Sequence, residues 1–82
     1  MNYQVGDIIE YKTFDGSVRL TLVLEKEADI KNGRPGFVGD LVAEIRPGIV
    51  AKAESSFTAF SGARVWGYDN QVVAVRKDLK VG

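Results

Sequence analysis

The sequence predicts a single all-β domain of about five short strands. Two observations carry that expectation. Val18, Leu20, Leu22 and Leu24 alternate with Arg19, Thr21, Val23 and Glu25, a period of two that marks a half-buried strand. Turn chemistry (Asp15–Gly16, Asn32–Gly33, Pro35–Gly36, Pro47–Gly48) then punctuates the apolar segments at a spacing that suits a β-meander. The 82 residues make one domain, residues 1–82, and the 45% apolar fraction is that of a globular chain.

The elements follow in order. "IIEYKTF" alternates more weakly than the segment after it, and "DG" between them is a preferred two-residue hairpin loop. That loop pairs Phe14 with Ser17, Thr13 with Val18, Tyr11 with Leu20 and Ile9 with Leu22. The apolar pairs then share a core face. Glu10, Lys12, Phe14, Arg19 and Thr21 fall on the other face, where Lys12 opposes Arg19. Residues 28–36 are expected as a long surface loop, with Asn32–Gly33 and Pro35–Gly36 as turns. "FVGDLVAEI" is the next strand, and Gly39 marks a bulge in it. Arg34-Pro35-Gly36-Phe37-Val38 recurs as Arg46-Pro47-Gly48-Ile49-Val50, a Pro–Gly turn before an apolar strand start. Residues 53–63 are expected as an irregular or extended insertion, although Phe57 and Phe60 could also share one face of a short helix. The chain then gives a strand "RVWGY", a turn "DNQ", a strand "VVAV", and a solvated, locally basic tail "RKDLKVG".

Composition excludes several kinds of chemistry. There is no Cys, hence no disulfide, thiolate nucleophile or cysteine–zinc site. There is no His, which removes imidazole acid–base catalysis and ordinary zinc ligation. Neither cofactor nor metal is expected, and neither is enzymatic activity. Ser55, Ser56 and Ser61 have no His to activate them, and nothing in the sequence places a Lys-based dyad. "GRPG" and "DGS" lack the phosphate-loop pattern. Glu25 and Glu27 share a strand face and could bind a cation or act as general acid and base, but a solvated strand end is the expectation. Lys plus Arg and Asp plus Glu both number 11, so the net charge is zero. Residues 1–41 carry five basic and seven acidic side chains, and residues 42–82 carry six and four, which is a weak dipole and not a polybasic arm. No apolar run approaches the roughly 20 residues of a membrane helix. "MNYQVGDIIEY" lacks the layout of a signal peptide.

The "VGD" opening, the aromatic strand before a final apolar one and the "DNQ" step resemble a small SH3-like barrel. "DIKNGRPGF" and "VWGYDNQV" resemble motifs in small SH3-like β-barrel proteins of actinobacterial tailed phages. The resemblance covers residues 4–38 and 64–76, and leaves 44–62 outside the pattern. It implies a barrel fold and a phage setting, and it implies no activity.

One face then stands out. On a strand, Arg64, Trp66 and Tyr68 point one way while Val65 and Gly67 point the other. Arg with Trp and Tyr is the composition of an interaction hot spot. The competing reading makes Trp66 a core residue at an open barrel end, and the sequence leaves the two open. An intermediate placement, with one side of Trp66 packed on Val73, is the expectation. Lys31, Asn32 and Arg34 add cations and an amide that could contact phosphate or an acidic peptide, or could simply make a soluble turn. The expected function is a non-catalytic module that binds a protein partner, of host or phage, through Trp66, Tyr68, Arg64, Arg34, Lys31 and Asn32. A nucleic-acid-binding barrel that stacks bases on the aromatics is the alternative, disfavoured by zero net charge. A virion subunit held by self-association or docking is another. The expected location is the host cytoplasm or the virion, with no membrane partner.

Overall fold

The computed structural model describes residues 2–45, 56–57, 63–78 and 80–81. The strands are β1 (Ile8–Lys12), β2 (Val18–Lys31), β3 (Arg34–Ile45), β4 (Ser56–Phe57), β5 (Arg64–Tyr68), β6 (Val72–Val75) and β7 (Lys80–Val81). Five of them form one antiparallel sheet in the order β5-β3-β2-β1-β6. β4 and β7 form a separate parallel pair. The domain is therefore all-β, as the alternation and turn spacing predict. A 3₁₀ turn, Asp69–Gln71, sits at the expected "DNQ" step before β6.

The β1–β2 register differs from the expected one by a single residue. Ile9 lies opposite Thr21, Tyr11 opposite Arg19, and Lys12 opposite Val18. The loop is longer than two residues. Thr13 N–H bonds the Ser17 carbonyl at 2.8 Å, and Gly16 N–H bonds the Thr13 carbonyl at 3.1 Å. Gly16 has φ 90°, the positive-φ residue that follows a type I turn in a three-residue hairpin loop. The Asp15 carboxylate favours this loop by accepting from the Thr13 hydroxyl and, at 2.9 Å, from the Ser17 N–H. These bonds, the Thr13 one foremost, hold the Asp15 carboxyl down to about 2.

A slip of one residue exchanges faces. Thr21, expected on the solvent face, is fully buried, and its hydroxyl has no hydrogen-bond partner among the described residues. The expected Lys12–Arg19 clash does not occur. Arg19 instead bonds Glu44 at 2.7 Å and the Tyr11 hydroxyl at 3.1 Å. The slip is tolerated because the sheet is apolar on both faces. Tyr3, Ile9, Tyr11, Val23, Phe37 and Val72 form one core cluster; Ile8, Leu20 and Val42 form a second, with Leu22 and Ala43 packed against it.

Residues 28–36 are not a loop. β2 and β3 run as one long hairpin that turns only at Asn32–Gly33, with φ 57° and 73°. Positive φ at both central residues is the type I′ geometry that suits the twist of a two-residue hairpin. Pro35–Gly36 lies inside β3 and makes no turn. Between the Glu27–Gly36 and Lys31–Arg34 pairs, Ala28, Asp29 and Ile30 face Pro35 alone. Proline has no N–H to give a ladder, and it falls where the ladder is interrupted. A second irregularity sits between the Val23–Gly39 and Glu25–Val38 pairs, in keeping with a bulge at Gly39. The second Arg-Pro-Gly copy and most of residues 53–63, including Phe60, lie outside the described residues; Ser56–Phe57 is a strand.

The segment before β1 is anchored. Tyr3 is buried edge-on against Phe37, with ring centroids 5.9 Å apart, and its hydroxyl donates to Asp69. Burial, helped by Asp69, pushes its phenol pKa up. The tail, expected to be solvated and locally basic, is tied back at Arg76, which pairs with Glu10 and Asp78, and at Lys77, which pairs with Asp7. Lys80–Val81 forms β7. Among the described residues no helix is long and apolar enough to cross a membrane.

Candidate functional site

The pairing of β3 with β5 builds the site. Val38 lies opposite Trp66, Gly36 opposite Tyr68, and Asp40 opposite Arg64. Val65 and Gly67 face the Phe37 cluster: Val65 packs against it, and a Cβ on Gly67 would lie 2.8 Å from the Phe37 ring. Strand alternation then directs Arg64, Trp66 and Tyr68 to the opposite face. Trp66 is 45% exposed, so it is not a core plug.

The tip of the β2–β3 hairpin folds against these aromatics. Trp66 and Tyr68 meet edge to face, with centroids 5.5 Å apart at 85°. The Lys31 ammonium lies 5.6 Å from the Trp66 ring centre, and the Arg34 guanidinium lies 4.6 Å from that of Tyr68. Asn32 Nδ2 donates to the Tyr68 hydroxyl at 3.3 Å. The hairpin tip is held by its own bond, from Gly33 N–H to Asp29 Oδ1 at 2.8 Å. Close approach requires Gly36: a Cβ there would lie 2.1 Å from the Gly67 carbonyl oxygen and 2.5 Å from Ile30 Cγ2. Ile30 comes from the bulge opposite Pro35. It lines an open groove of about 330 Å³ with Lys31, Val38, Arg64, Val65 and Trp66.

Every residue expected at the site is thus brought to one end of the sheet. Their roles differ from the expectation in two respects. Tyr68 is buried, so it supports Trp66 and Arg34 and presents no ring of its own. Val73 is half-exposed on β6, and the neighbours of Trp66 are Tyr68, Lys31 and the groove walls.

No family model matches this chain, and no curated protein or solved structure matches it.

The electrostatics of the site are uneven. Arg64 pairs with Asp40 at 3.1 Å while most of its side chain stays exposed. Lys31 and Arg34 form no ion pair among the described residues. A cation over an aromatic face is stabilised by about 0.5–1 kcal/mol when exposed, and it keeps its N–H donors for a partner. The Trp66 indole N–H makes no hydrogen bond among the described residues and is also available. No group of three or more acidic, His or Cys side chains among them could hold a metal ion. Sequence reasoning missed Ile30 and Val38, the apolar walls of the groove. An apolar residue in a run of charged ones, Ile30 in "EADIKNGR", was the available signal.

Proposed function

We propose that this chain is a non-catalytic protein-interaction module that binds an acidic partner protein through the face of Trp66, Arg64, Lys31 and Arg34. One observation carries the reading. An exposed tryptophan stands beside an apolar groove, with Lys31 at its rim and Arg34 over Tyr68, neither in an ion pair among the described residues. A hot spot of this composition combines a desolvated aromatic anchor with charge that selects the partner. We read the fold as SH3-like from the strand order β6-β1-β2-β3-β5 and the 3₁₀ turn before β6, with the sheet open between β5 and β6 and not closed into a barrel. "DIKNGRPGF" and "VWGYDNQV" support a phage setting, which makes a host or phage protein in the host cytoplasm the proposed partner.

The test compares immobilised wild-type protein with Trp66→Ala and Arg34→Glu variants of unchanged fold. A protein retained by wild type at moderate salt should be lost from both. Equal retention by all three proteins would defeat the reading. Binding to single-stranded nucleic acid that collapses steeply with salt would favour base stacking instead.

A further inference from the structure

The ladder phase at β5 can be read from one hydrogen bond. Leu41 N–H bonds the Ala63 carbonyl at 2.9 Å, and Asp40 lies opposite Arg64. Antiparallel pairs alternate between bonded and non-bonded. Val65 and Gly67 therefore exchange bonds with β3, while Arg64, Trp66 and Tyr68 turn their backbone groups outward. The Tyr68 N–H is already taken by Gln71 Oε1 at 2.8 Å. The backbone N–H and C=O groups of Arg64 and Trp66 have no partner among the described residues, because β5 is the last strand on that side of the sheet.

Natural edges are blunted by bulges, prolines or inward charges. The far edge has such a device, since the β1–β6 register shifts between Glu10 and Tyr11. β5 runs in unbroken register with β3 from Arg64 to Tyr68. Its open edge also borders the groove, whose rim carries Lys31, with Arg34 beside it over Tyr68.

We infer that the partner supplies an extended segment that adds to the main sheet along β5. The segment exchanges backbone hydrogen bonds with Arg64 and Trp66. One apolar side chain enters the groove between Ile30, Val38 and Trp66, and neighbouring carboxylates meet Lys31 and Arg34. Strand addition takes affinity from the main chain and specificity from alternate side chains, and this edge offers sites for both. The inference rests on the interaction reading above and specifies how the partner is held.

A displayed library of random linear peptides, selected on wild-type protein and counter-selected on Trp66→Ala, supplies the probe. The selected peptides should combine carboxylates with an apolar residue. When they are titrated into nitrogen-labelled protein, exchange of the Arg64 and Trp66 amides should slow by about tenfold or more. N-methylation of the peptide amides that face β5 should weaken binding by about tenfold. Peptides that need Trp66 yet leave both amides exchanging at the free rate would overturn strand addition and leave the interaction reading standing. Selection of basic peptides would overturn the inferred charge pattern. If no peptide distinguishes wild type from Trp66→Ala, both readings fall.

Discussion

Two aromatic clusters in this molecule share a plan and differ in what the cation does. At one, Tyr3 meets Phe37 edge-on, and the Lys26 ammonium lies 4.3 Å from the Tyr3 ring centre. At the other, Trp66 meets Tyr68 edge-on, with Lys31 and Arg34 over the rings. Lys26 also donates to the Tyr3 carbonyl at 2.9 Å, and the Tyr3 hydroxyl donates to Asp69. The polar groups of that cluster are consumed within the fold. At the Trp66 cluster the Lys31 and Arg34 side chains and the indole N–H have no hydrogen-bond or ion-pair partner among the described residues. The same chemical grouping is a brace where its hydrogen bonds are closed and an open surface where they are not.

Substitutions can break that contrast. Phe37 carries the brace, since Tyr3 and Tyr11 both meet it at T-shaped angles. Phe37→Ala should cost about 3–5 kcal/mol, a large share of the stability of so small a domain, and should appear as collapse of the urea midpoint. Trp66→Ala should cost only about 1–2 kcal/mol of stability, because the ring is half exposed, and about 2 kcal/mol or more of partner affinity. A Trp66→Ala variant unfolded at room temperature would erase the distinction between the clusters. Wild-type Trp fluorescence should be partly open to a neutral quencher.

Smaller effects sharpen it. Gly16→Val should destabilise by about 1 kcal/mol or more, since a β-branched residue resists the positive φ there. An unchanged midpoint would contradict the three-residue loop. Thr21→Val keeps the shape and removes a buried hydroxyl that has no partner among the described residues, so it should stabilise by about 1 kcal/mol. A loss of stability would reveal a hydrogen bond at that hydroxyl.

The last test is pH. The folded state raises the Tyr3 phenol pKa, chiefly by burial. The associated stability is fully present below the unfolded value of about 10 and is lost as pH rises above it. Tyr3→Phe should flatten that alkaline decline in the melting temperature. The same slope in the variant would assign the titration to another group.

How much of this was legible in the sequence depended on the range of the cause. The strand alternation and the "DNQ" turn are local, and both are present. The two Xaa-Gly hairpins show the limit. Asn32–Gly33 makes the two-residue turn its composition favours, whereas Asp15–Gly16 belongs to a longer loop. The Asp15 side chain bonds across to Thr13 and Ser17, and the apolar pattern could not veto the other register because both faces of the sheet are apolar. Pro35–Gly36 looked like a turn because a bulge that accepts proline leaves no mark in composition. The site residues could be named from their types, but their convergence needed the β3–β5 pairing. Tyr3 was illegible, since it lies outside any strand and its partner Asp69 is 66 positions away.

That separation has a kinetic meaning. β1 pairs with β6, Tyr3 reaches Asp69, and Lys77 reaches Asp7 across 70 positions. The β2–β3 hairpin needs only its own tip to nucleate, whereas these contacts must first close nearly the whole chain into a loop. A chain emerging from the ribosome can assemble the long hairpin early, yet β1 keeps one edge unpaired until β6 has emerged. Folding should therefore be slow for so small a domain, with its rate set by that closure and its half-made state open to pairing with other chains.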